Sequence, residues 1–394
     1  MAELGDIVRQ AVGRKDAVFP FGGRTMIDFG LPSTRPGIGV DLRSLNQVIE
    51  YPARDMTITV QAGITLAELQ KILTKENQRL PIDVPLADLA TLGGVVATNT
   101  SGPRRYGFGT LRDYVLGINV VNDQGHEVKA GGRVVKNVAG YDMCKLYIGS
   151  LGTLGIITQV TLKLKPRPEE HALAILDCTP QSLGPVLDQL HVSRTRPVCI
   201  DVLNQAAVRA INQQNPGLLP ETAPWIVIVG FEENSQAVIW QIQQLVKERY
   251  QTGRGLDVRF GSAADPPWQA IIDFPHRPKA NLSFKANMVS SATADFCLRV
   301  GTLDPEIKIQ AHAGNGIVIG HFVDKLTINE AREMLKQIQA WATADQGNVV
   351  VLHCPAEWKR ELPVWGAPRA DAWLMRVVRE KLDPHHIFNP GRMG

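Results

Sequence analysis

The sequence predicts an α+β protein of two domains. The first is built of strands and short helices joined by glycine-rich loops, the second of strands backed by longer helices on one side. Three observations predict this. The chain has 394 residues, more than a single hydrophobic core usually serves. Apolar positions recur every second residue in some stretches and every third or fourth in others, so strands and helices both occur. Hydrophobic residues make up 44% and charged residues 21%, a globular composition that argues against disorder.

The elements follow in chain order. "DMTITVQAG" alternates, with Met56, Ile58 and Val60 on one face and Thr57, Thr59 and Gln61 on the other. That pattern predicts a half-buried strand. "TLAELQKILTKENQ" predicts a helix, with Thr65 and Glu68 at capping-box spacing and Leu66, Leu69 and Leu73 as its apolar stripe. "VLGINVVNDQGHEVKA" predicts a hairpin turning at 122–125. "GIITQVTLKLKP" is a further alternating strand, stopped by Pro166. After "KPRPEE" the texture changes. Strands such as "HALAILDC", "VCIDVLN" and "PWIVIVGFE" alternate with amphipathic helices. "SQAVIWQIQQLVKERY" puts Val238, Ile242, Leu245 and Val246 on one face, and "TINEAREMLKQIQAWA" opens on a Thr327/Glu330 capping box. "DAWLMRVVREKLDP" is the last helix. No internal repeat is legible.

Several function classes are excluded. A formal net charge of +3 is too small for a nucleic-acid footprint. No apolar run approaches the ~18 residues of a membrane span. The opening "MAELGDIVRQAVGRKD" has the character of neither a signal nor a transit peptide, so a cytoplasmic protein is expected. Cys144, Cys178, Cys199, Cys297 and Cys354 are scattered and form no CxxC pair, as packing cysteines do and cluster ligands do not. Neither a GxGxxG opening a βαβ unit nor a P-loop is present.

Three glycine-rich segments remain. "VFPFGGRTM" holds Gly22, Gly23, Arg24 and Thr25. "ATLGGVVATNTSGPRRYGFGTLRD" holds Gly93, Gly94 and a run of small polar residues before Arg104 and Arg105. "GGRVVKNVAGYDMCKLYIGSLGTLG" spaces Gly149, Gly152 and Gly155 three apart. Taken singly, each reads as an ordinary turn or a packing contact. Together, within about 150 residues, they suit a large, flat, anionic ligand such as a dinucleotide. Glycine lets backbone N–H groups reach phosphate oxygens, and small residues let a planar ring lie against the chain.

"ATLGGVVATNTSGPRRYGFGTLRDYVLG", "GGRVVKNVAGYDMCKLYIGSLGTLGIITQVTLKLKP" and the terminal "IFNPGRMG" together resemble the FAD-binding oxidase family, the flavin fold of vanillyl-alcohol oxidase and p-cresol methylhydroxylase (PCMH). Within it the chain is most similar to the FAD-binding subunit type of glycolate oxidases. The resemblance is strong over 17–168, weaker over 169–370 and strong again at the tail. It implies a PCMH-type FAD-binding domain of two small α+β subdomains over 1–168. It also implies an α+β, ferredoxin-like, FAD-linked oxidase C-terminal domain over 169–383, and a tail, 384–394, that returns to the flavin.

Carried over by position, Gly22, Gly23, Arg24 and Thr25 would cradle the FAD pyrophosphate. Thr91, Gly93, Gly94, Thr98, Asn99, Ser101 and Gly102 would line the pyrophosphate and isoalloxazine. Lys136, Asn137, Gly140, Asp142, Gly149, Gly152, Thr153, Gly155 and Ile157 would hold the adenosine side and ribityl chain, and Asn389 and Arg392 would close from the C-terminus. Covalent members place a histidine in the first loop. "FGGRTM" has none, so FAD is expected to be held non-covalently. The family's H-x-G-D-G-N-x-H cluster is degraded in "HAGNGIVIGH": His312 keeps the first position, Ile319 replaces the second histidine and His321 comes two residues late. No metal site is therefore expected. His312 is the candidate catalytic residue, with a hydrogen-bonded structural histidine as the alternative.

The resemblance implies a subunit of a glycolate oxidase or dehydrogenase complex. Glycolate would go to glyoxylate by hydride transfer from the α-carbon to flavin N5, with electrons passing to a partner. The implied partners are a catalytic flavin subunit and an iron–sulfur subunit, and any membrane association would run through them. Two alternatives stand beside it. One is a self-sufficient FAD-dependent dehydrogenase of another 2-hydroxy acid such as D-lactate, with Arg105 able to hold the substrate carboxylate. The other is a non-catalytic FAD-binding scaffold.

Overall fold

The computed structural model describes residues 2–133, 141–249, 255–276, 280–322, 326–368 and 370–393. The chain divides into two compact units. Unit 1 is Met1–Ser101, Gly109–Arg167 and Pro368–Gly394, and unit 2 is Gly102–Phe108 and Pro168–Ala367. Two segments thus fall outside the expected boundaries. The stretch after Gly102 counts with the second unit, and the last helix, Ala372–Leu382, counts with the first. The tail is drawn to unit 1 by backbone pairing: Val18 N–H donates to Ile387 O at 2.7 Å and Asn389 N–H to Val18 O at 3.1 Å.

Unit 1 has two parts. In one, α1 (Ala2–Arg14) covers the parallel pair β1 (Ala17–Phe21) and β2 (Gly37–Asp41). Val8 and Ala11 of the helix join Val18, Val40, Leu42, Ile387 and Phe388 in a common core. The other part is an antiparallel five-stranded sheet. Its strands are β3 (Val48–Glu50), β4 (Thr57–Gln61), β6 (Val115–Val121), β7 (Glu127–Gly131) and β8 (Ile156–Lys163), in the order β3-β4-β8-β6-β7. A short pair, β5 (Gln78–Arg79) with β9 (Lys165–Pro166), lies apart from it in the strand order. The helices of this part are α2 (Leu66–Thr74), α3 (Leu92–Thr98) and α5 (Cys144–Tyr147).

The 122–125 turn forms as expected, with Gly125 N–H donating to Asn122 O at 3.0 Å. Leu66, Leu69 and Leu73 of α2 are fully buried, at about 1.5–3 kcal/mol each. Two details differ from the sequence expectation. The strand at 57–61 is buried on both faces, because Thr59 finds a partner across the ladder in Thr161, Oγ1 to Oγ1 2.9 Å. At α2, Thr65 caps Glu68 N–H at 3.3 Å, but the Glu68 carboxylate reaches Lys71 at 3.7 Å instead of turning back to Thr65.

Unit 2 begins with the short α4 (Arg105–Phe108) and is dominated by one antiparallel eight-stranded sheet. Its elements run β10 (Glu170–Cys178), α6 (Pro180–His191), β11 (Cys199–Asn204), α7 (Gln205–Asn212), β12 (Trp225–Glu233), α8 (Ser235–Arg249), β13 (Leu256–Phe260) and α9 (Asp265–Asp273). They continue as β14 (Leu282–Asn287), α10 (Thr293–Val300), β15 (Lys308–His312), β16 (Ile317–Phe322), α11 (Ile328–Ala344) and β17 (Asn348–His353). The strand order is β13-β10-β12-β11-β15-β16-β14-β17.

That order is the expected ferredoxin-like unit, formed twice. Each half runs strand, helix, strand, strand, helix, strand in the spatial order four-one-three-two, with α7 inserted between the second and third strands of the first half. The halves join where β11 meets β15, with Asp201 opposite His312 and Leu203 opposite Gln310. The repeat was not legible because the two copies share a topology without sharing residues at matching positions.

Helices pack on this sheet from both sides, a correction to the one-sided expectation. α7 and α9 bury Val208, Ile211, Trp268 and Ile271 against Leu173, Ile175, Leu203, Ile226 and Ile228. The alternate residues, Ala172, Ala174, Val202, Val227, Val229 and Phe231, are also buried; α6 and α8 pack on β10 and β12, α10 on β15 and β16, and α11 on β14 and β17. In α8, Val238, Ile242 and Leu245 face inward while Val246 is 45% exposed, since it stands one residue, about 100° of helix, beyond Leu245 and off the buried stripe.

Candidate functional site

The first candidate site lies in unit 1, where four separate segments meet. α3 ends at Asn99 in the left-handed region. The 149–151 loop is tied to that helix end, with Gly149 N–H donating to Val96 O at 2.9 Å and Leu151 N–H to Ala97 O at 2.8 Å. The tail reaches the same loop, as Asn389 Nδ2 donates to Leu151 O at 2.9 Å and Gly152 O at 3.2 Å. The first loop is fixed against the residues before α3. A side chain on Gly22 would strike Thr91 Oγ1 at 2.0 Å, and one on Gly23 would strike Leu89 O at 1.6 Å. The glycine pair is therefore required where two backbone segments come together.

One non-glycine residue from each segment takes positive φ: Arg24 at 59°, Asn99 at 50°, Leu151 at 54° and Asn389 at 41°. Such backbone costs free energy and persists where its surroundings hold it. Its concentration here marks a built site.

The expected residues sort by what they face. Gly94 and Gly149 open into space: an added Cβ would meet only Thr91 Oγ1 at 3.4 Å and Asn99 Cβ at 3.6 Å respectively. Asn99 Oδ1 is buried and has no hydrogen-bond partner among the described residues. Thr98 Oγ1 donates to Gly94 O at 2.9 Å and shares a 2.7 Å hydrogen bond with Thr100 Oγ1. Thr91 is buried before α3, and Ser101 closes this stretch of unit 1. Gly93 faces Ala62, Gly155 faces Val120 and Ile157 is a core residue of β8, so these three shape the site from behind.

Gly152, at φ +67°, faces Asn389, and Thr153 Oγ1 donates to Ser150 O at 2.7 Å. Arg24 stacks its guanidinium on Phe21 at 4.2 Å. Arg392 donates to Met26 O at 3.0 Å and Ile27 O at 2.6 Å, which ties the tail to the first loop. Asp142 is exposed beside Lys145 at 3.7 Å. Gly102 belongs to unit 2. Lys136, Asn137 and Gly140 lie outside the described residues.

A flavin dinucleotide fits this arrangement. An acceptor left without a donor among the described residues, Asn99 Oδ1, belongs to the residue that faces Gly149, and Gly94 of the same helix also leaves room for a ligand. An unmet buried acceptor costs roughly 1–3 kcal/mol, which a ring N–H can relieve.

The second candidate site lies in unit 2, on the sheet face shared with α7 and α9. His312 Nδ1 and Asp201 Oδ1 are 2.7 Å apart, and both side chains are buried, 4% and 0% exposed. Gln310 Nε2 donates to Asp201 Oδ2 at 2.7 Å and to Ile271 O at 2.8 Å. With Asp201 accepting at Nδ1–H, the histidine keeps its Nε2 lone pair. Ile319 is buried in β16, where a second histidine would stand.

His321, two residues on, shares a 2.7 Å hydrogen bond between its Nδ1 and Ser283 Oγ, while its Nε2 has no partner. Burial, with the nearby charges of Lys308, His276 and His353, pushes its pKa down to about 3, so it is neutral at pH 7. Among the described residues no three His, Cys, Asp or Glu side chains group closely enough to hold a metal. The five cysteines are buried, and burial pushes the Cys144 and Cys354 thiols up to about 11.

Asp201 was not singled out in the sequence. Its signal was there: one carboxylate inside "VCIDVLN", a strand that is otherwise apolar up to its last residue.

Residues 1–131 match the model of the FAD binding domain family. The D-lactate dehydrogenase [cytochrome], mitochondrial, of Arabidopsis thaliana is 30% identical over 423 residues, covering 99% of this chain and 71% of that protein. The glycolate oxidase subunit GlcD of Bacillus subtilis is 24% identical over 99% of this chain and 86% of its own length. The glycolate oxidase subunit GlcE of Escherichia coli is 36% identical, but over 162 residues, 41% of this chain and 46% of that one. Among solved structures, p-cresol methylhydroxylase with substrate bound superposes with a TM-score of 0.74 at 15% identity, over 99% of this chain and 86% of that one. This last likeness shows the fold.

Proposed function

We propose that this chain, which belongs to the FAD-dependent 2-hydroxy-acid dehydrogenase family, is the FAD-binding subunit of a glycolate-oxidising complex. The observation that carries the proposal is the cradle of unit 1, where Asn99 lacks a partner beside the open faces of Gly94 and Gly149. The 36% identity to the GlcE subunit supports the subunit type.

Gly22–Thr25 and Gly94 would hold the pyrophosphate by backbone N–H groups, with Arg24 supplying a cation, while Thr91 and Gly93, whose N–H donates to Ala62 O at 2.7 Å, would support that wall from behind. Thr98, Asn99, Ser101 and Gly102 would line the isoalloxazine. Asp142, Gly149, Gly152, Thr153 and Gly155, together with Lys136, Asn137 and Gly140, would hold the adenosine side and ribityl chain. Ile157 would back that wall, and Asn389 and Arg392 would clamp it from the tail. The binding is non-covalent, as the first loop "FGGRTM" offers no histidine.

When bound, FAD supplies a two-electron acceptor for the hydride leaving the α-carbon of the 2-hydroxy acid. His312 would take the hydroxyl proton at Nε2, and Asp201 would hold the ring and stabilise the resulting imidazolium. Electrons then leave to a partner, an iron–sulfur subunit beside a catalytic flavin subunit, in the cytoplasm. No described helix is long and apolar enough to cross a membrane. A second reading, a self-sufficient dehydrogenase of another 2-hydroxy acid, is favoured by the full-length match to the D-lactate enzyme.

Purification from the native cell at modest salt, followed by acid precipitation and turnover assays, tests these readings. The subunit reading expects co-purifying partners, yellow colour released wholly into the supernatant, and glycolate oxidation that needs those partners. A lone chain that oxidises D-lactate at a normal enzymatic rate would establish the second reading instead. A colourless protein would overturn both.

A further inference from the structure

The last helix of unit 1, α12 (Ala372–Leu382), stands in a setting that its sequence does not suit. Most of its eleven residues are apolar, yet none is buried. Trp373 is 59% exposed, Leu374 49%, Met375 48% and Val377 42%. A helix with apolar residues on several sides is normally covered, and one of this length is marginal in water by itself. Apolar side chains exposed together in this way mark a surface that another molecule covers.

The C-terminal end of the helix is held firmly. Asp383 N–H donates to Arg379 O at 2.7 Å. The buried Asp383 carboxylate accepts from Ile387 N–H at 3.0 Å and from Phe388 N–H at 2.9 Å. Arg35 donates to His385 O at 3.1 Å and to His386 O. Ile387 and Phe388 belong to the core that α1 shares with β1 and β2, and Asn389 bonds to the 151–152 loop of the unit 1 cradle. One short connection, 383–386, therefore separates α12 from the tail's clamp on that cradle. The helix is presented from a rigid base, so docking on it requires little further ordering.

The distribution of side chains selects what covers it. Successive helical residues stand about 100° apart, so Trp373, Leu374 and Met375 span about 200° of the circumference. Arg376 and Glu380 fall on the same side of the helix as Trp373. A helix that lies on a bilayer keeps one apolar face with its charges opposite, and α12 has no such division. A groove that grips the helix on several sides fits it. A second copy of α12 fits less well. Eleven residues make a helix about 16 Å long, too short to supply alone the roughly 800 Å² per partner of a standard interface. Within the helix Arg376, Arg379 and Lys381 outnumber Glu380, which gives the C-terminal half a cationic rim.

We propose that α12 is the docking helix for a partner protein, seated in an apolar groove edged with carboxylates, with Trp373 and Val377, one turn apart, as its anchors. The inference rests on the subunit reading above for the existence of a partner. The place and chemistry of docking stand on α12 itself.

The test purifies the full chain with its flavin from the native cell, as wild type and as Trp373→Glu, Trp373→Phe and Lys381→Glu. Each co-purified protein is then isolated and titrated back onto the purified chain by calorimetry. One partner is expected to rebind wild type one-to-one. Trp373→Glu should weaken it at least about tenfold, and Trp373→Phe should stay within about threefold. Lys381→Glu and added salt should both slow association. Flavin content and melting temperature should match wild type throughout, since no residue of α12 is buried. Val377→Glu makes the same comparison if Trp373→Glu is insoluble. A partner that rebinds wild type and Trp373→Glu equally overturns this inference and leaves the subunit reading standing. Wild type that purifies alone overturns both. Flotation with vesicles of phosphatidylglycerol and phosphatidylcholine, and light scattering of the free chain, test the other occupants. Vesicle binding or a dimer that Trp373→Glu abolishes would show α12 covered by lipid or by its own copy, and the partner groove would be overturned.

Discussion

In unit 1 the ligand space is bounded by backbone, and in unit 2 by side chains. Gly94 and Gly149 open onto the first space, and Arg24, Asn99, Leu151 and Asn389 line its approaches with positive φ. In the second, Asp201, Gln310 and His312 project from two neighbouring strands on one sheet face. The contrast suits what each is proposed to bind. A dinucleotide is long, anionic and flat, and close main-chain approach suits it. A two-carbon acid offers a carboxylate and a hydroxyl, and two placed side chains are enough to orient it.

The comparison can be broken at the glycines. Gly23→Ala puts a methyl group 1.6 Å from a backbone oxygen. It should cost more than about 3 kcal/mol and remove folded unit 1 along with its flavin. Gly94→Val points into open space, so the apo protein should keep its circular dichroism and melting temperature while flavin affinity falls at least about 100-fold. Parallel measurement of flavin content and thermal melting on both variants checks this. If Gly94→Val unfolds like Gly23→Ala, the open face of Gly94 has been misassigned.

The side-chain site has its own signature in pH. His321 has its pKa lowered in the folded state to about 3, against an ordinary value near 6.5. Between these values the unfolded chain binds the extra proton, so stability is complete above about pH 6.5 and declines as pH falls toward 3. The loss attributable to this group is up to about 5 kcal/mol. Urea unfolding of wild type and His321→Asn at pH 7 and pH 5 should show a smaller pH dependence in the variant. Identical slopes would show that His321 is not held neutral.

A smaller effect sharpens the role of the tail. Asn389→Ala removes both side-chain hydrogen bonds to the 151–152 loop. It should cost about 2 kcal/mol in unfolding free energy and raise the flavin off-rate, while Arg392 still holds the tail to the first loop. Unchanged stability and unchanged flavin release would separate the tail from the site.

Much of unit 1 was legible in the sequence because its devices are local. A glycine pair, a capped helix and an alternating strand each declare themselves within a dozen residues, and so the glycine loops and the 122–125 hairpin were placed in advance. One reading there needed correction for a non-local reason. Thr59 is buried because Thr161, about a hundred residues away, satisfies its hydroxyl. The close approach of Gly22 and Gly23 to residues 89–91 was likewise invisible in any short window. In unit 2, "HAGNGIVIGH" drew attention to His312 through a broken motif, while Asp201 passed as a single charge in an apolar strand.

By itself, the sequence determined the element types, the glycine-rich character of the cofactor loops, the family resemblance and the absence of a histidine from the first loop. These depend on residue identity and short spacing. The tertiary structure alone decided that unit 2 is a doubled ferredoxin-like sheet and that the last helix and tail count with unit 1. It also decided that Asp201 meets His312. Pairing of β11 with β15 joins residues about 110 positions apart, and such a register is set by burial of a whole sheet face, which no short window of sequence contains.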